Sequence, residues 1–371
     1  MLKRQKTVAI FTAPQGHRSI ADAASQALKN EFKVVTYFNK DSFFNLYTPI
    51  YKFIPQVWGP PFHLSSEALT RYKKLNSLSA KFFAHRYDEK LKQFYLKHKP
   101  DICINTHPFY SPSLMKLKNE FGVPFVNVVS DPRTIHRFAI AEGADINLVF
   151  DSKLSRYVKK MVPKAKVLPA GWLVKDEFEA NYTKAKVRRQ LGLKDVLTIL
   201  ISSGSDGTNL ILKLIPALSL AKSPAQIVVA CGHNQRMFSL IEKINELVRL
   251  KNKNVSLISL AFTPEIYYWV QASDLVVGKA GPNSLFESVA TLTPFFAVTH
   301  ISGQETGNLD IIRQYRLGFV EENSVKASRL LLKLINKPDF LKKFQPSLKK
   351  VANHNKLAKL RLKAVVNFLI N

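Results

Sequence analysis

Thr7-Val-Ala-Ile-Phe-Thr12 is followed by the turn Ala13-Pro-Gln-Gly16 and then by apolar residues at Ile20, Ala23, Ala24, Ala27 and Leu28. The first run is short and nearly continuously apolar, the pattern of a strand covered on both faces. The recurrence after Gly16 has the spacing of one helix face. Strand, glycine-bearing turn and helix form the opening unit.

The same alternation continues outward from this stretch. Candidate strands follow at Lys33–Tyr37, Asp101–Asn105, Pro124–Val129 and Asn147–Phe150, with helical stretches over 67–98, 111–121 and 151–161. It restarts after residue 195, with strands at Leu197–Ser202, Gln226–Ala230, Val255–Leu260, Asp274–Gly278 and Pro294–Val298. A polar segment, Lys175–Asp195, separates the halves, which places a linker near 168–175. The expected fold class is α/β, with two Rossmann-like doubly wound domains facing a cleft at the carboxyl ends of their strands.

The 371 residues carry 55 Lys and Arg against 27 Asp and Glu, a formal charge of +28, yet 46% are hydrophobic. That apolar fraction excludes a disordered basic tail. The charge draws the chain to anionic surfaces, either nucleic acid or lipid headgroups. No run reaches the roughly 18 apolar residues that span a bilayer. The basic N-terminus precedes too short an apolar run for a secretory signal, so a cytoplasmic protein is expected. Cys103 and Cys231 lie beside apolar strands and read as small buried hydrophobes.

Several loops at strand ends could carry chemistry. Ser202-Ser-Gly-Ser-Asp-Gly-Thr208 opens a helix, where small residues let backbone N–H groups approach a phosphate. It lacks the spacing of G-x-G-x-x-G, and no P-loop is present, so a nicotinamide enzyme is disfavoured. Lys279-Ala-Gly-Pro-Asn-Ser284 follows another strand, with Pro282 suited to a first helical turn. Glu287 reads equally as a ribose ligand and as a first-turn acid favoured by the helix dipole. Ile301-Ser-Gly-Gln-Glu-Thr-Gly-Asn308 has the amide and carboxylate side chains that suit a polyhydroxyl ligand, but by composition alone it reads rather as an ordinary polar loop with a helix cap. Gly16-His-Arg18, Thr106-His-Pro108 and the run Ser130–His136 end strands on one edge of the first half. A histidine there could deprotonate an alcohol.

Taken together, these segments resemble the monogalactosyldiacylglycerol synthase and diacylglycerol glucosyltransferase family, related to the lipid-II-forming N-acetylglucosaminyltransferase. The resemblance is most specific at Lys279-Ala-Gly-Pro282, Glu287 and Gly303–Asn308, and its motifs span roughly residues 8–320. Asn283-Ser284 stand where the family has Gly-Thr, and Ala13-Pro-Gln-Gly16 where it has a glycine run.

The resemblance implies a glycosyltransferase B-type fold. Residues 1–170 would form an acceptor- and membrane-binding domain and 171–354 a nucleotide-sugar domain. A C-terminal helix, 355–371, would cross back to the first domain. It implies inverting transfer of galactose or glucose from a UDP-sugar to the hydroxyl of diacylglycerol or a similar lipid. Catalysis would rest on His17 as base. Gly204, Ser205, Phe262, Gly281, Pro282, Ser284, Glu287, Gln304 and Glu305 would bind the nucleotide-sugar, and Gly16, Arg18, His107, Asp131 and His136 would line the acceptor side. Helix N-termini would stabilise the leaving UDP, so no cofactor or metal is required by this reading. A lipid-II-type transferase and a same-fold nucleotide-sugar epimerase are the alternatives within this class.

Residues 43–62 interleave Phe, Tyr and Trp with Lys and Pro, a composition suited to a bilayer interface. Tyr51, Phe53, Trp58, Arg71, Lys73 and Lys74 are the membrane candidates. A second basic cluster runs from Lys153 to Lys166. An anionic membrane, reached peripherally from its cytoplasmic face, is the expected partner. A nucleic-acid-binding protein would explain the charge but not the motifs, and no nucleic acid is expected.

Overall fold

A computed structural model describes residues 4–14, 16–39, 64, 73–180, 182–202, 214 and 218–371, without the side chains of residues 73–77, 79 and 80. Its contacts divide the chain into two units. The first comprises Met1–Asp176, Ile301–Gly307 and His354–Asn371, and the second Glu177–His300 and Asn308–Asn353.

The first unit is built on a six-stranded sheet of β1 (Thr7–Thr12), β2 (Lys33–Phe38), β3 (Ile102–Asn105), β4 (Phe125–Val128), β5 (Ile146–Val149) and β6 (Val167–Pro169). Their order is β2-β1-β3-β4-β5-β6, and every pairing is parallel. β1, β3 and β4 are buried along their whole length, as continuous apolar runs require when helices cover both faces. Phe11, Tyr87, Leu91, Cys103, Tyr110 and Phe125 form the core on one side.

The second unit repeats the plan with β7 (Leu197–Ser202), β8 (Ala225–Gly232), β9 (Val255–Ala261), β10 (Leu275–Lys279), β11 (Phe295–Thr299) and β12 (Gly318–Val320). Their order is β12-β11-β10-β7-β8-β9, again all parallel. Its core packs Ile199, Ile201, Ile227, Val229, Val277 and Phe296 against Leu331 and Leu334. Both cysteines are free and buried.

The structure adds detail between the two sheets. The linker expected near 168–175 begins inside β6, a three-residue edge strand ending at Pro169; proline is tolerated there because an edge N–H needs no ladder partner. The polar segment 175–195 holds two short helices, Asp176–Glu179 and Lys184–Gln190. Arg188, in the second of them, donates to Asp274 at 2.6 Å and to Asp195 at 2.9 Å.

Candidate active site

In a parallel sheet, connections from neighbouring strands diverge where the strand order reverses, and a crevice opens at their carboxyl ends. In the first unit that point lies between β1 and β3. His17 opens the helix Gly16–Leu28 after β1, and Thr106-His107 follow β3. Their side chains meet: the His17 and His107 rings lie edge to face with centroids 4.4 Å apart. His17 Nδ1 is 2.7 Å from the Thr106 carbonyl oxygen. A carbonyl only accepts, so Nδ1 carries the proton and Nε2 keeps a bare lone pair. Burial pushes the His17 pKa down to about 4, against the smaller opposing effect of the Thr106 bond. The ring is therefore neutral at pH 7.

The other two histidines are placed differently. His107 Nδ1 accepts from the Phe109 N–H at 3.4 Å, and His136 Nδ1 from the Phe138 N–H at 3.3 Å. Each caps a short 3-10 helix, Pro108–Tyr110 and Arg137–Ala139. Burial lowers both, His107 well below its ordinary value and His136 to about 4.

Asp131 follows β4. Burial pushes its carboxyl up to about 7; a hydrogen bond from Gln304 works against this and the nearby Glu305 charge adds to it. Asp131 thus shares one polar cluster with Gln304 and Glu305. Glu305 is 5% exposed, and its Oε2 accepts from the Ile301 N–H at 2.7 Å. Gly307 explains the close approach of these loops. Its N–H donates to Thr134 Oγ1 at 2.8 Å, and a Cβ there would fall 2.5 Å from that oxygen. Arg133 is fixed in turn by a two-pronged bond to Asp151 at 2.7 and 3.3 Å.

In the second unit the order reverses between β7 and β10. A Cβ on Gly278 would lie 2.1 Å from the Ser202 carbonyl oxygen, so only glycine lets the two strand ends run this close. Gly281 caps the helix Pro282–Ala290, with Pro282 in its first turn and Ser284 beside it. Glu287 is the sixth residue of that helix, and the first turn holds no acid. The reading of Glu287 as a first-turn acid held by the helix dipole therefore fails, because that field fades within the first turn. Asn308 is buried, and its Nδ2 donates to the Ala280 carbonyl at 2.8 Å. Phe262, 55% exposed beyond β9, stacks on His233 with centroids 4.2 Å apart and planes at 18°.

Gly16 begins its helix. Arg18 is exposed, with its guanidinium 5.1 Å from the Phe38 ring centroid and 3.9 Å from Asp22. Gly204, Ser205, Tyr51, Phe53, Trp58 and Arg71 lie outside the described residues, as does the whole of 43–62. Lys73 and Lys74 begin the helix Lys73–His98. Among the described residues no helix is long and apolar enough to cross a membrane, and no cluster of His, Cys, Asp and Glu could hold a metal ion.

Residues 14–174 match the family model for monogalactosyldiacylglycerol (MGDG) synthase, and residues 198–310 match the glycosyltransferase family 28 C-terminal domain. The chain belongs to the monogalactosyldiacylglycerol synthase and diacylglycerol glucosyltransferase family. Relatives agree over most of its length. The probable monogalactosyldiacylglycerol synthase 3 of Oryza sativa is 26% identical, over 88% of this chain and 68% of its own. The processive diacylglycerol β-glucosyltransferase of Staphylococcus saprophyticus is 24% identical, over 94% and 89%. The crystal structure of Acinetobacter baumannii MurG shares the fold, with a TM-score of 0.62 at 16% identity, over 98% of this chain and 99% of that one.

Sequence reasoning missed two sets of residues in this family member. One is His233, whose signal was a Cys-Gly-His triplet closing a strand. The other is a buried asparagine ladder across three adjacent strands. Asn105 donates to Asn127 at 3.0 Å, and Asn127 to Asn147 at 2.9 Å. The ladder also ties down the site loops: Asn105 Oδ1 accepts from the His107 N–H, and Asn127 donates to the Ala139 carbonyl. Its only sequence trace was a polar residue near one end of each apolar run.

Proposed function

We propose that the protein is an inverting glycosyltransferase moving galactose or glucose from a UDP-sugar to the hydroxyl of diacylglycerol or a similar membrane lipid. The observation that carries the mechanism is the Thr106 carbonyl on His17 Nδ1, which leaves Nε2 as the open base. In the proposed step Nε2 takes the acceptor hydroxyl proton, the oxygen forms a bond to the anomeric carbon, and the bond to UDP breaks with inversion. His17 then carries the proton until it is released.

In the same reading the second unit holds the nucleotide of the donor. Phe262 offers an exposed ring for the uracil, Glu287 accepts from the ribose diol, and Gly204, Ser205, Gly281, Pro282 and Ser284 surround the diphosphate. Gln304 and Glu305 take sugar hydroxyls. With one amide hydrogen given to Asp131, Gln304 still offers its carbonyl as an acceptor. The first unit, with Arg18, His107, Asp131 and His136, serves the acceptor. The match of residues 14–174 supports a diacylglycerol acceptor over lipid II. The net charge of +28 supports peripheral binding to the anionic inner face of the cell membrane, with Tyr51, Phe53, Trp58, Arg71, Lys73 and Lys74 taking part.

The test is UDP release with UDP-galactose or UDP-glucose and diacylglycerol in anionic vesicles. Turnover with either sugar, lost when diacylglycerol is omitted, is expected. No turnover with any UDP-sugar would overturn the proposal.

A further inference from the structure

The helix Gln345–Ile370 holds 26 residues, among them six Lys and Arg and no acid. One face is buried: Leu348, Val351, Ala352, Asn355, Ala358, Leu362 and Val366. The segment from His354 onward is clamped to the first unit. The Trp172 N–H donates to Asn355 Oδ1 at 3.0 Å, Arg361 donates to the Ala170 carbonyl at 2.8 Å, and Lys359 and Lys363 pair with Asp176 and Glu31.

The opposite face is also apolar, and it is bare. Leu357, Leu360 and Phe368 are 43%, 61% and 84% exposed, and exposed Ala364 lies between them. The spacing of three, four and four residues puts all four on one stripe of a 3.6-residue helix. The same spacing brings Lys350 onto that stripe and Lys349 and Lys356 to its flank. All three lysines are exposed, and none forms an ion pair among the described residues.

We infer that this stripe is an in-plane docking surface for an anionic lipid bilayer. Leu357, Leu360 and Phe368 enter the acyl boundary while Lys349, Lys350 and Lys356 meet the headgroups. A stripe one helix wide with three large side chains falls short of the roughly 800 Å² per partner of a stable protein interface. A bilayer accepts such a helix lying in its surface plane. A second copy of the chain would meet a charge of +28 with the same charge, whereas an anionic surface complements it. The clamps to Trp172, Ala170, Asp176 and Glu31 hold the stripe rigid, so docking costs little ordering.

The test attaches an environment-sensitive fluorophore to Phe368→Cys, and separately to Leu360→Cys, in the full chain. The native thiols Cys103 and Cys231 are buried and stay unlabelled. Phosphatidylglycerol-containing vesicles should shift the emission to the blue, and pure phosphatidylcholine vesicles should not. Leu360→Ser with Phe368→Ser, and separately Lys349→Glu with Lys350→Glu and Lys356→Glu, should weaken vesicle binding about tenfold or more at unchanged Tm. Unshifted emission on vesicle-bound protein, or no vesicle binding at all, overturns the inference. A blue shift that grows with protein concentration without lipid assigns the stripe to a second copy and also overturns it. The readout is optical, so its failure leaves the proposed transfer reaction standing.

Discussion

His17 and Thr106 are 89 residues apart in sequence, yet His17 Nδ1 sits 2.7 Å from the Thr106 carbonyl oxygen. The strand order makes this possible, since β1 and β3 are direct neighbours. The contact fixes the tautomer, and burial keeps the ring neutral.

Under the proposed mechanism, His17→Ala lowers kcat by about 10²–10⁴ and moves KM little, the effect of removing a general base. The pH profile gives a sharper check. Protonation removes the base, and burial holds the His17 pKa to about 4. In Asp131→Asn, which removes the site carboxyl titrating at about 7, kcat/KM should stay level as the pH falls through 6.5 and drop only near 4. An acid limb centred at 6.5 in that variant would contradict a base buried in this way.

Asp131 titrates in the opposite sense. Its pKa is about 7 in the folded protein against 3.8 for an ordinary aspartate, so between these values the folded state binds more protons than the unfolded. Its contribution to stability therefore falls as pH rises through that window. Asp131→Asn removes the charge, and should raise Tm more at pH 8 than at pH 5. His17, His107 and His136, lowered by burial, act the other way and cancel when variant and parent are compared at each pH.

Asn127 bridges Asn105 and Asn147, both fully buried. Asn127→Ala removes one hydrogen bond from each neighbour, while Asn105 Nδ2 keeps Ser111 Oγ and Asn147 Oδ1 keeps the Ala141 N–H, at a cost of about 1–3 kcal/mol. Urea unfolding should show a lower midpoint. Asn127→Asp keeps the Asn105 bond but loses the donor to Asn147, and should be destabilised as well.

Gly278→Ala would place a Cβ 2.1 Å from the Ser202 carbonyl oxygen, a backbone atom that cannot rotate away. The β7–β10 pair must spread, at a cost of about 3 kcal/mol or more. Thermal unfolding should register a lower Tm even with ligand absent.

Phe262→Ala and Glu287→Ala test the donor assignments separately. Loss of one base stack or of a charged hydrogen bond corresponds to about tenfold or more in donor KM. Neither should change the KM for the lipid. Glu287→Gln, which keeps an acceptor oxygen, should recover part of the loss.

Much of this molecule was written in local sequence. Continuous apolar runs broken by helical spacing dictated two parallel α/β units, because a strand covered on both faces cannot alternate. Gly281 and Pro282 marked a helix start, since a first turn tolerates a missing N–H. Tertiary structure decided what depends on which strands are neighbours. Three histidines looked alike in sequence, but His107 and His136 each spend a ring nitrogen on capping the next turn, whereas His17 faces the Thr106 carbonyl just past a neighbouring strand. Asp131 and the Gln304-Glu305 pair are more than 170 positions apart, and it is burial, a product of packing, that raises the aspartate pKa. The C-terminal helix is apolar on two faces by composition, and only packing decided which face was covered and which was left for a partner.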